Sequence, residues 1–395
     1  MNEEITHNYD LILKNGMVID GKGTEPVKMD VAVRGESIAA IGFLEMDEAT
    51  RTIDVAGKVV CPGFIDVHTH DDNAVLKSPD CLPKISQGVT TVAVGSCGLS
   101  ASPVRLKDKP PDPLNLLGSE QDFRFNTFRE YRDAVDSICP AVNVAALVGH
   151  TSLRVNHMPD LFRVASSYEV EAMQEDLEIS LASGALGLST GLAYATARHS
   201  TTEEVISLAS KVNKYGGIYA THLRDEFDTI LDVLAEAFEI GETAELPVVV
   251  SHLKCAGPDN WGRSEEVLNF INNSKYNHRI NLDCYPYAAG SSTLDLGQVD
   301  ERIKILITWS ENHPEQSKKT LAEIAREWGV SQIEAARKLQ PAGAVYFSIN
   351  EDDMTRIISH PKTMIGSDGL PHDPHPHPRL WGTFPRVLGR LARDQ

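Results

Sequence analysis

Six side chains of types that commonly bind metal ions stand at the ends of short apolar runs. They are His68, His70, Cys97, His222, His252 and Asp368. Imidazole, thiolate and carboxylate groups together are typical ligands of zinc. Any one of these histidines alone would more often be a buried residue with a structural hydrogen bond, but six such residues in equivalent positions predict a metal site.

The apolar runs are the strands that must position these residues. Eight of them follow one another along the chain, at 64–70, 90–98, 143–150, 185–190, 217–223, 247–253, 279–287 and 363–368. Helical periodicity separates several of them, for instance at 203–215 and 228–243. Eight strand–helix units in succession predict an α/β fold, a (β/α)8 TIM barrel, whose C-terminal strand ends form one active-site face. His68 and His70 are two apart on a strand, so both face the same side.

The pattern outside the barrel predicts two further features. Residues 1–61 contain short β-branched runs broken by glycine turns, which predicts a small antiparallel, β-sandwich-like domain before a barrel over 62–395. Seventy-five residues separate Tyr287 from Thr363, so 288–362 is predicted to be an insertion between strands seven and eight, a lid or a subdomain. The sequence stops about 27 residues after strand eight, and we therefore expect the chain to be truncated at its C-terminus.

Composition and charge limit the classes of function. Lys and Arg number 37 against 56 for Asp and Glu, so the net charge is −19 and nucleic acid is not an expected partner. Six scattered cysteines predict a reducing compartment, and the absence of a signal peptide or long apolar run predicts a cytoplasmic protein. No Gly-x-Gly-x-x-Gly follows the first strand, which argues against a dinucleotide-binding fold. The oligomeric state stays open.

Other polar residues are weaker candidates. The histidines within 372–377 alternate with prolines that favour an extended backbone, so a loop at the rim of the barrel is favoured over a second metal cluster. His150 could touch substrate or make a structural hydrogen bond. Glu203 and Glu204 follow two threonines and predict a helix N-terminus. The remaining cysteines are expected to be small buried apolar residues: Cys61, Cys81, Cys139, Cys255 and Cys284.

Several motifs resemble a known family. The segment 63–70, GFIDVHTH, is similar to the opening of the amidohydrolase superfamily. Within that superfamily, five further segments resemble the D-aminoacylases, which are N-acyl-D-amino-acid deacylases: GSCG at 95–98, THLR at 221–224, SHLK at 251–254, DCYPY at 283–287 and GSDG at 366–369. The resemblance runs from about Tyr9 to Arg386, which is nearly the whole chain.

The resemblance implies a particular arrangement of metal ligands. A tightly held Zn²⁺ would lie on Cys97, His222 and His252, and a second, weaker position would be formed by the other ligand candidates: His68, His70 and Asp368. Strand four, 185–190, has no lysine to bridge two metals, unlike many members of the superfamily, and Cys97 supplies a thiolate instead. The chain departs from the family at Leu253, where a second histidine is often found, and in the loop 194–200, which lacks an expected glycine.

The implied reaction is hydrolysis of an N-acyl-D-amino acid to a carboxylate and a free D-amino acid. Zinc-activated water would attack the amide, and Asp368 would act first as general base and then as general acid. The α-carboxylate of the substrate would need cationic or hydroxyl partners, and the candidates by position are Lys254, Arg379, Tyr194, Ser291, Ser292 and Tyr285.

Two alternative functions stay open at the level of sequence. One is a cyclic-amide hydrolase of the dihydroorotase or hydantoinase kind, against which the missing lysine of strand four argues. The other is a non-catalytic amidohydrolase-like scaffold, although such scaffolds usually lose metal ligands. A general preference for D-amino acids is favoured over specificity for D-Glu or D-Asp, because no extra cation for an acidic side chain is located.

Overall fold

The structure, a computed structural model, describes residues 9–44, 49–106 and 108–394. The chain divides into two compact units with the boundary between Phe64 and Ile65. In the described part of the chain, no helix combines the length and apolar composition that crossing a bilayer requires.

The first unit is built on one mixed sheet. Its strands are β1 (Tyr9–Val18), β2 (Val27–Arg34), β3 (Ser37–Gly42), β4 (Ala49–Asp54) and β5 (Val59–Val60). Strands β1, β2 and β3 pair antiparallel, but β4 and β5 both pair with β1 in parallel. The prediction of an antiparallel unit is therefore wrong for β4 and β5, because alternation of apolar residues marks a strand without specifying the strand beside it.

The second unit is a closed (β/α)8 barrel, which confirms the predicted fold class. Its strands are β6 (Phe64–Asp66), β7 (Val89–Val94), β8 (Asn143–Ala146), β9 (Val148–Gly149), β10 (Gly187–Gly191), β11 (Ile218–His222), β12 (Val248–Val250), β13 (Ile280–Cys284) and, after an insertion, β17 (Thr363–Ile365). Strands β8 and β9 form the third barrel position with a break at Leu147, so that β8 pairs with β7 and β9 with β10. The barrel closes where the Asp368 amide donates to the His68 carbonyl at 2.8 Å.

Helices cover the outside of the barrel. They are α1 (Ala74–Lys77), α2 (Leu82–Ile85), α3 (Phe128–Ile138), α4 (His150–His157), α5 (Ser167–Ala182), α6 (Thr202–Ala209), α7 (Ile230–Ala244) and α8 (Ser264–Asn273). Apolar residues of these helices and of the buried strands form one core, which includes Leu177 of α5, Leu234 of α7, Leu188 of β10 and Val248 of β12. Such continuous apolar strands are typical of parallel sheets covered by helices.

The insertion lies between β13 and β17. It contains β14 (Gly290–Thr293), β15 (Ile305–Ser310), α9 (Leu321–Trp328), α10 (Gln332–Leu339), β16 (Ala342–Tyr346) and α11 (Glu351–Ile358), and α12 (Arg379–Arg386) follows β17. Strands β14, β16 and β15 form a small antiparallel sheet with its own apolar core, whereas α11 packs on α8, β13 and β17. The helical stretch 321–339 is interrupted at Gly329, whose left-handed φ of 66° ends α9.

A carboxylate between α4 and α5 provides a test of this packing. Asp176 lies 2.8 Å from His157 Nε2 and 2.6 Å from Arg105 Nη1. Burial raises the pKa of Asp176, but hydrogen bonds from His157 and Arg105 outweigh that effect and lower it from 3.8 to about 2. Because the folded-state pKa is below the unfolded-state value, the stabilisation is complete above about pH 5 and is lost as the pH falls towards 2.

Asp176→Asn is therefore expected to lower the free energy of unfolding by about 1–2 kcal/mol at pH 7 and by roughly half as much at pH 3. Urea denaturation at the two pH values measures both differences. Asp133→Asn, on an exposed part of α3, is the matched control and should change neither value. Equal losses of stability for Asp176→Asn at both pH values would contradict the lowered pKa of Asp176 in the folded protein.

Candidate active site

The six predicted metal ligands all lie at the C-terminal ends of barrel strands. His68 and His70 follow β6, Cys97 follows β7, His222 ends β11, His252 follows β12 and Asp368 follows β17. Three of them adopt left-handed backbone conformations that are uncommon for residues other than glycine, with φ of 56° at Cys97, 34° at His252 and 50° at Asp368. Backbone strain of this kind persists where surrounding structure imposes it, and it is frequent at functional sites.

Cys97 occupies the centre of the cluster. Its Sγ lies 3.2 Å from His68 Nε2 and 3.3 Å from His252 Nε2. Burial raises the pKa of the Cys97 thiol, but His68, His252 and a hydrogen bond from His222 lower it well below its usual range. The site therefore favours a thiolate, which is the form of cysteine that binds metal ions.

Two further groups of donor atoms adjoin Cys97. Asp368 Oδ1 lies 3.2 Å from His70 Nε2 and 3.6 Å from His68 Nε2. On the other side, the rings of His222 and His252 are 4.4 Å apart between centroids. His68 belongs both to the group around Cys97 and to the group around Asp368, so the donors form one continuous cluster.

Two carboxylates that the sequence reasoning missed orient the imidazoles. Asp283 Oδ2 lies 3.1 Å from His68 Nδ1, and Glu226 Oε1 lies 2.9 Å from His252 Nδ1. The Asp283 carboxylate accepts a hydrogen bond from His68 Nδ1, and this leaves Nε2 of His68 free to face Cys97. His252 Nδ1 lies beside Glu226 and also 2.8 Å from Lys254 Nζ, and its Nε2 faces Cys97. Asp283 lies within a motif at the end of β13, and Glu226 follows His222 by four residues. The sequence signal that could have identified both carboxylates is their position as polar residues close to the C-terminal ends of strands.

The two predicted substrate-binding cations already have carboxylate partners. Lys254 Nζ lies 2.5 Å from Glu226 Oε1. Arg379, which is 1 % exposed, lies 2.7 Å from Asp368 Oδ2 through Nη1. Burial raises the pKa of Asp368, but the Arg379 guanidinium and the hydrogen bond from His70 hold it well below its usual range. Asp368 is therefore an ionised carboxylate in a buried position.

Four residues of the cluster line a cavity of about 370 Å³: His70, His222, His252 and Asp368. The other predicted substrate contacts line this cavity: Tyr194, Ser291, Ser292 and Tyr285. The Tyr194 ring lies 4.9 Å from that of His222, and the Arg379 guanidinium lies 4.6 Å from the centre of the Tyr285 ring. Tyr285 Oη and Ser291 Oγ are buried and have no hydrogen-bond partner within residues 9–44, 49–106 and 108–394. Burial raises the pKa of Tyr285 to about 12, so its hydroxyl keeps its proton.

The weaker candidates lie elsewhere. His377 accepts from the Arg379 amide at 3.0 Å in the loop before α12, and none of the three histidines at 372–377 joins a group of metal donors in the described residues. His150 Nε2 lies 2.8 Å from Glu204, which is a structural contact in the first turn of α6.

The cysteines other than Cys97 divide into two sets. Cys81, Cys255 and Cys284 are buried, whereas Cys61 and Cys139 are exposed, so the prediction of burial is wrong for these two. Cys61 follows the short edge strand β5, and Cys139 ends α3 in a left-handed conformation that turns the chain. The physical reason is that a loop position at the end of an element is open to solvent whatever the residue type.

The donor set fits zinc. One thiolate and several imidazoles are typical zinc ligands, and partnered Nδ1 atoms such as that of His68 are typical of metal-binding histidines. His222 Nδ1 is a buried nitrogen without a hydrogen-bond partner in the described structure, which leaves a lone pair for a cation.

Comparisons with known proteins agree with the geometry. Residues 51–394 match the model of the Amidohydrolase family. A D-aminoacylase from Alcaligenes xylosoxydans xylosoxydans is 48% identical over 394 residues, covering 100% of this chain and 81% of that protein. A crystal structure of D-aminoacylase superposes with a TM-score of 0.95 at 51% identity, covering 98% of this chain and 81% of the other.

A second solved relative carries both a metal and an inhibitor. It is the N-acyl-D-glutamate deacylase from Bordetella bronchiseptica, complexed with zinc and a phosphonate mimic of the tetrahedral intermediate. Its TM-score is 0.93 at 44% identity, covering 98% of this chain and 81% of that one. The chain belongs to the amidohydrolase family, within its group of D-aminoacylases and N-acyl-D-amino-acid deacylases.

Proposed function

We propose that the protein is a zinc-dependent deacylase that hydrolyses N-acyl-D-amino acids to a carboxylate and a free D-amino acid. The observation that carries this proposal is the joint position of the Cys97 thiolate and the Asp368 carboxylate. Both lie against His68, and Asp368 lines the cavity. The family membership of the chain supports the same reaction, since its relatives are deacylases of linear N-acyl amides.

The cluster of donor atoms supports a proposed set of metal ligands. Cys97, His222 and His252 are proposed to hold the tightly bound Zn²⁺, and the remaining donors the weaker second position: His68, His70 and Asp368. When bound, Zn²⁺ polarises an amide carbonyl and acidifies water.

Asp368 is proposed to move the proton of the reaction. Its carboxylate accepts a proton from the attacking water as the new C–O bond forms, and it then delivers that proton to the nitrogen as the C–N bond breaks. An amine leaves easily only when protonated, so a single carboxylate beside both atoms suffices. The ion pair with Arg379 keeps Asp368 ionised and holds its direction before the water attacks the amide.

The α-carboxylate of the substrate is proposed to lie among the donors lining the cavity. Tyr285 Oη and Ser291 Oγ support this role, because a buried hydroxyl without a partner costs about 1–3 kcal/mol that a bound carboxylate would recover. The candidates that complete the set are Lys254, Arg379, Tyr194 and Ser292. Once the carboxylate and the amide are fixed, the two enantiomers differ in the direction of the side chain, and space for only one direction would select one configuration at the α-carbon.

Release of free amino acid from paired substrates tests the proposal. The wild-type protein is expected to hydrolyse N-acetyl-D-leucine and to leave N-acetyl-L-leucine intact, and a chelator should abolish the activity until Zn²⁺ is added back. Equal rates on both enantiomers, or activity that resists the chelator, would overturn the proposal.

A pair of cysteine variants controls for the metal. Cys97→Ser should lose bound zinc, measured by metal analysis, together with activity, because a hydroxyl is a poor ligand for zinc. Cys61→Ser replaces an exposed cysteine and should keep both. Equal zinc contents in the two variants would exclude Cys97 as a ligand.

We also propose that the protein works in the cytoplasm on small molecules. All six cysteines are free, and a ligand such as Cys97 must stay reduced. The net charge of −19 disfavours nucleic acid as a partner.

A further inference from the structure

Two loops contribute neighbouring residues to the lining of the cavity and form one wall of it. The loop between α4 and α5 contributes Leu161 and Phe162, and the loop between β10 and α6 contributes residues that include Tyr194 and Thr196. The wall therefore contains Phe162 from one loop and, from the other, Tyr194, whose ring lies beside that of His222.

Phe162 is the unusual member of this wall. Its side chain is 62 % exposed although it lines the cavity. Its backbone is held on both sides, since its amide donates to Asp160 Oδ1 at 2.9 Å and the neighbouring Arg163 forms a two-point ion pair with Glu169. An exposed aromatic ring on a well-held loop is prepared for contact with an apolar group at little entropic cost.

Arg154 anchors this loop from inside the protein. Its side chain is fully buried, and its Nη2 donates to the carbonyls of Leu161 at 3.2 Å and Arg163 at 2.7 Å, the two residues that flank Phe162. Its Nε donates to the Thr196 carbonyl at 3.2 Å. A single guanidinium thus joins both loops of the wall.

A carboxylate balances the charge of this anchor. Arg154 Nη1 lies 2.6 Å from Glu204 Oε1, in the first turn of α6. Burying an ion pair gives little net stability compared with apolar residues of the same volume. The arrangement does, however, fix the relative positions of the three carbonyls and the carboxylate that accept hydrogen bonds from Arg154. Because the three carbonyls belong to the two loops of the wall, Arg154 fixes the geometry of the wall.

We propose that Phe162 is a specificity-determining residue that contacts an apolar group of the substrate, and that Arg154 is the positioning residue that holds Phe162 at the cavity. The inference rests on the proposed deacylase function. The apolar group is either the acyl chain or the side chain of the D-amino acid, and these two sources share one chemistry.

Kinetics on substrates of increasing size test the role of Phe162. Phe162→Ala is expected to raise KM about 10-fold for either N-acetyl-D-phenylalanine or N-octanoyl-D-alanine, and to change kcat/KM for N-acetyl-D-alanine less than about twofold. The substrate series that responds identifies the source of the apolar group. Phe162→Leu should restore most of the loss, and Tyr168→Ala, an exposed aromatic on α5, should have no effect.

The outcomes separate this inference from the deacylase proposal. If the wild-type protein does not hydrolyse N-acetyl-D-alanine, the proposed function fails. If it does, but Phe162→Ala affects all three substrates equally or not at all, the role of Phe162 is overturned.

Variants of the anchor test Arg154. Arg154→Lys is expected to reproduce the size-dependent rise in KM, and the double variant with Phe162→Ala should show no further loss, because both changes remove one contact. Glu204→Gln weakens the same anchor while keeping Arg154 and should act in the same direction. A loss that is the same for small and large substrates in both variants, or additive effects in the double variant, would refute the positioning role.

Discussion

Replacing Asp368 with asparagine is expected to lower kcat about 100- to 10,000-fold while zinc remains bound. An amide has nearly the shape of a carboxylate but cannot accept the proton of the attacking water. Asp368 is buried between Arg379 at 2.7 Å and His70 at 3.2 Å, so no base from the solvent can take its position without moving them. Turnover rates and metal analysis on the purified variant measure the two quantities.

The matched control for this prediction is Asp232→Asn, which removes one exposed carboxylate from the outer helix α7. Its kcat should stay within about twofold of the wild-type value, as is usual for a surface change away from the site. Near-normal turnover in Asp368→Asn would refute the role of this carboxylate. Loss of zinc together with turnover would instead show that Asp368 acts chiefly as a ligand.

The second large effect concerns stability and comes from a buried lysine. Lys84 Nζ lies 2.8 Å from Asp66, 2.9 Å from Asp71 and 3.0 Å from Ser367 Oγ, and its side chain is 2 % exposed. Burial lowers the pKa of Lys84, but the two aspartates outweigh this and raise it above its usual value. Lys84→Met would leave both carboxylates buried without their cation, and it is expected to lower the free energy of unfolding by about 3–5 kcal/mol.

Lys77→Met is the control for this change. Lys77 also pairs with an aspartate, Asp122 at 2.7 Å, but its side chain is 45 % exposed. Its loss should cost no more than about 1 kcal/mol. Urea denaturation of the two variants measures the difference, and Lys84→Arg should recover part of the loss because it keeps the charge. Similar small losses for Lys77→Met and Lys84→Met would contradict the structural role of Lys84.

Lys84 and its partners also link the first strand of the barrel to the last. Asp66 Oδ1 accepts from the Ser367 amide at 2.7 Å. Asp66 precedes His68 by two residues, and Ser367 directly precedes Asp368. Lys84 and Asp66 therefore connect the strand end that carries a histidine ligand candidate with the strand end that carries the Asp368 carboxylate. A loss of metal affinity in Lys84→Met would follow from the same contacts.

The barrel and the position of its polar residues could be predicted from local patterns in the chain. Each of the eight barrel strands is a short apolar run, and each metal-ligand candidate follows or ends such a run, as His222 ends β11 and Cys97 follows β7. Because the C-terminal strand ends of such a barrel share one face, the position of a residue along its own strand was enough to bring the candidates together.

Contacts between residues distant in the chain could not be predicted in this way. The parallel pairing of β4 with β1, the orientation of His68 by Asp283 and the ion pair of Arg379 with Asp368 all depend on which elements become neighbours. Lys84 and Ser367 are 283 residues apart and meet because the barrel closes. The periodicity of a sequence predicts the direction in which a side chain points. The partners and the burial of that side chain, and therefore its pKa and its charge, depend on how the chain packs.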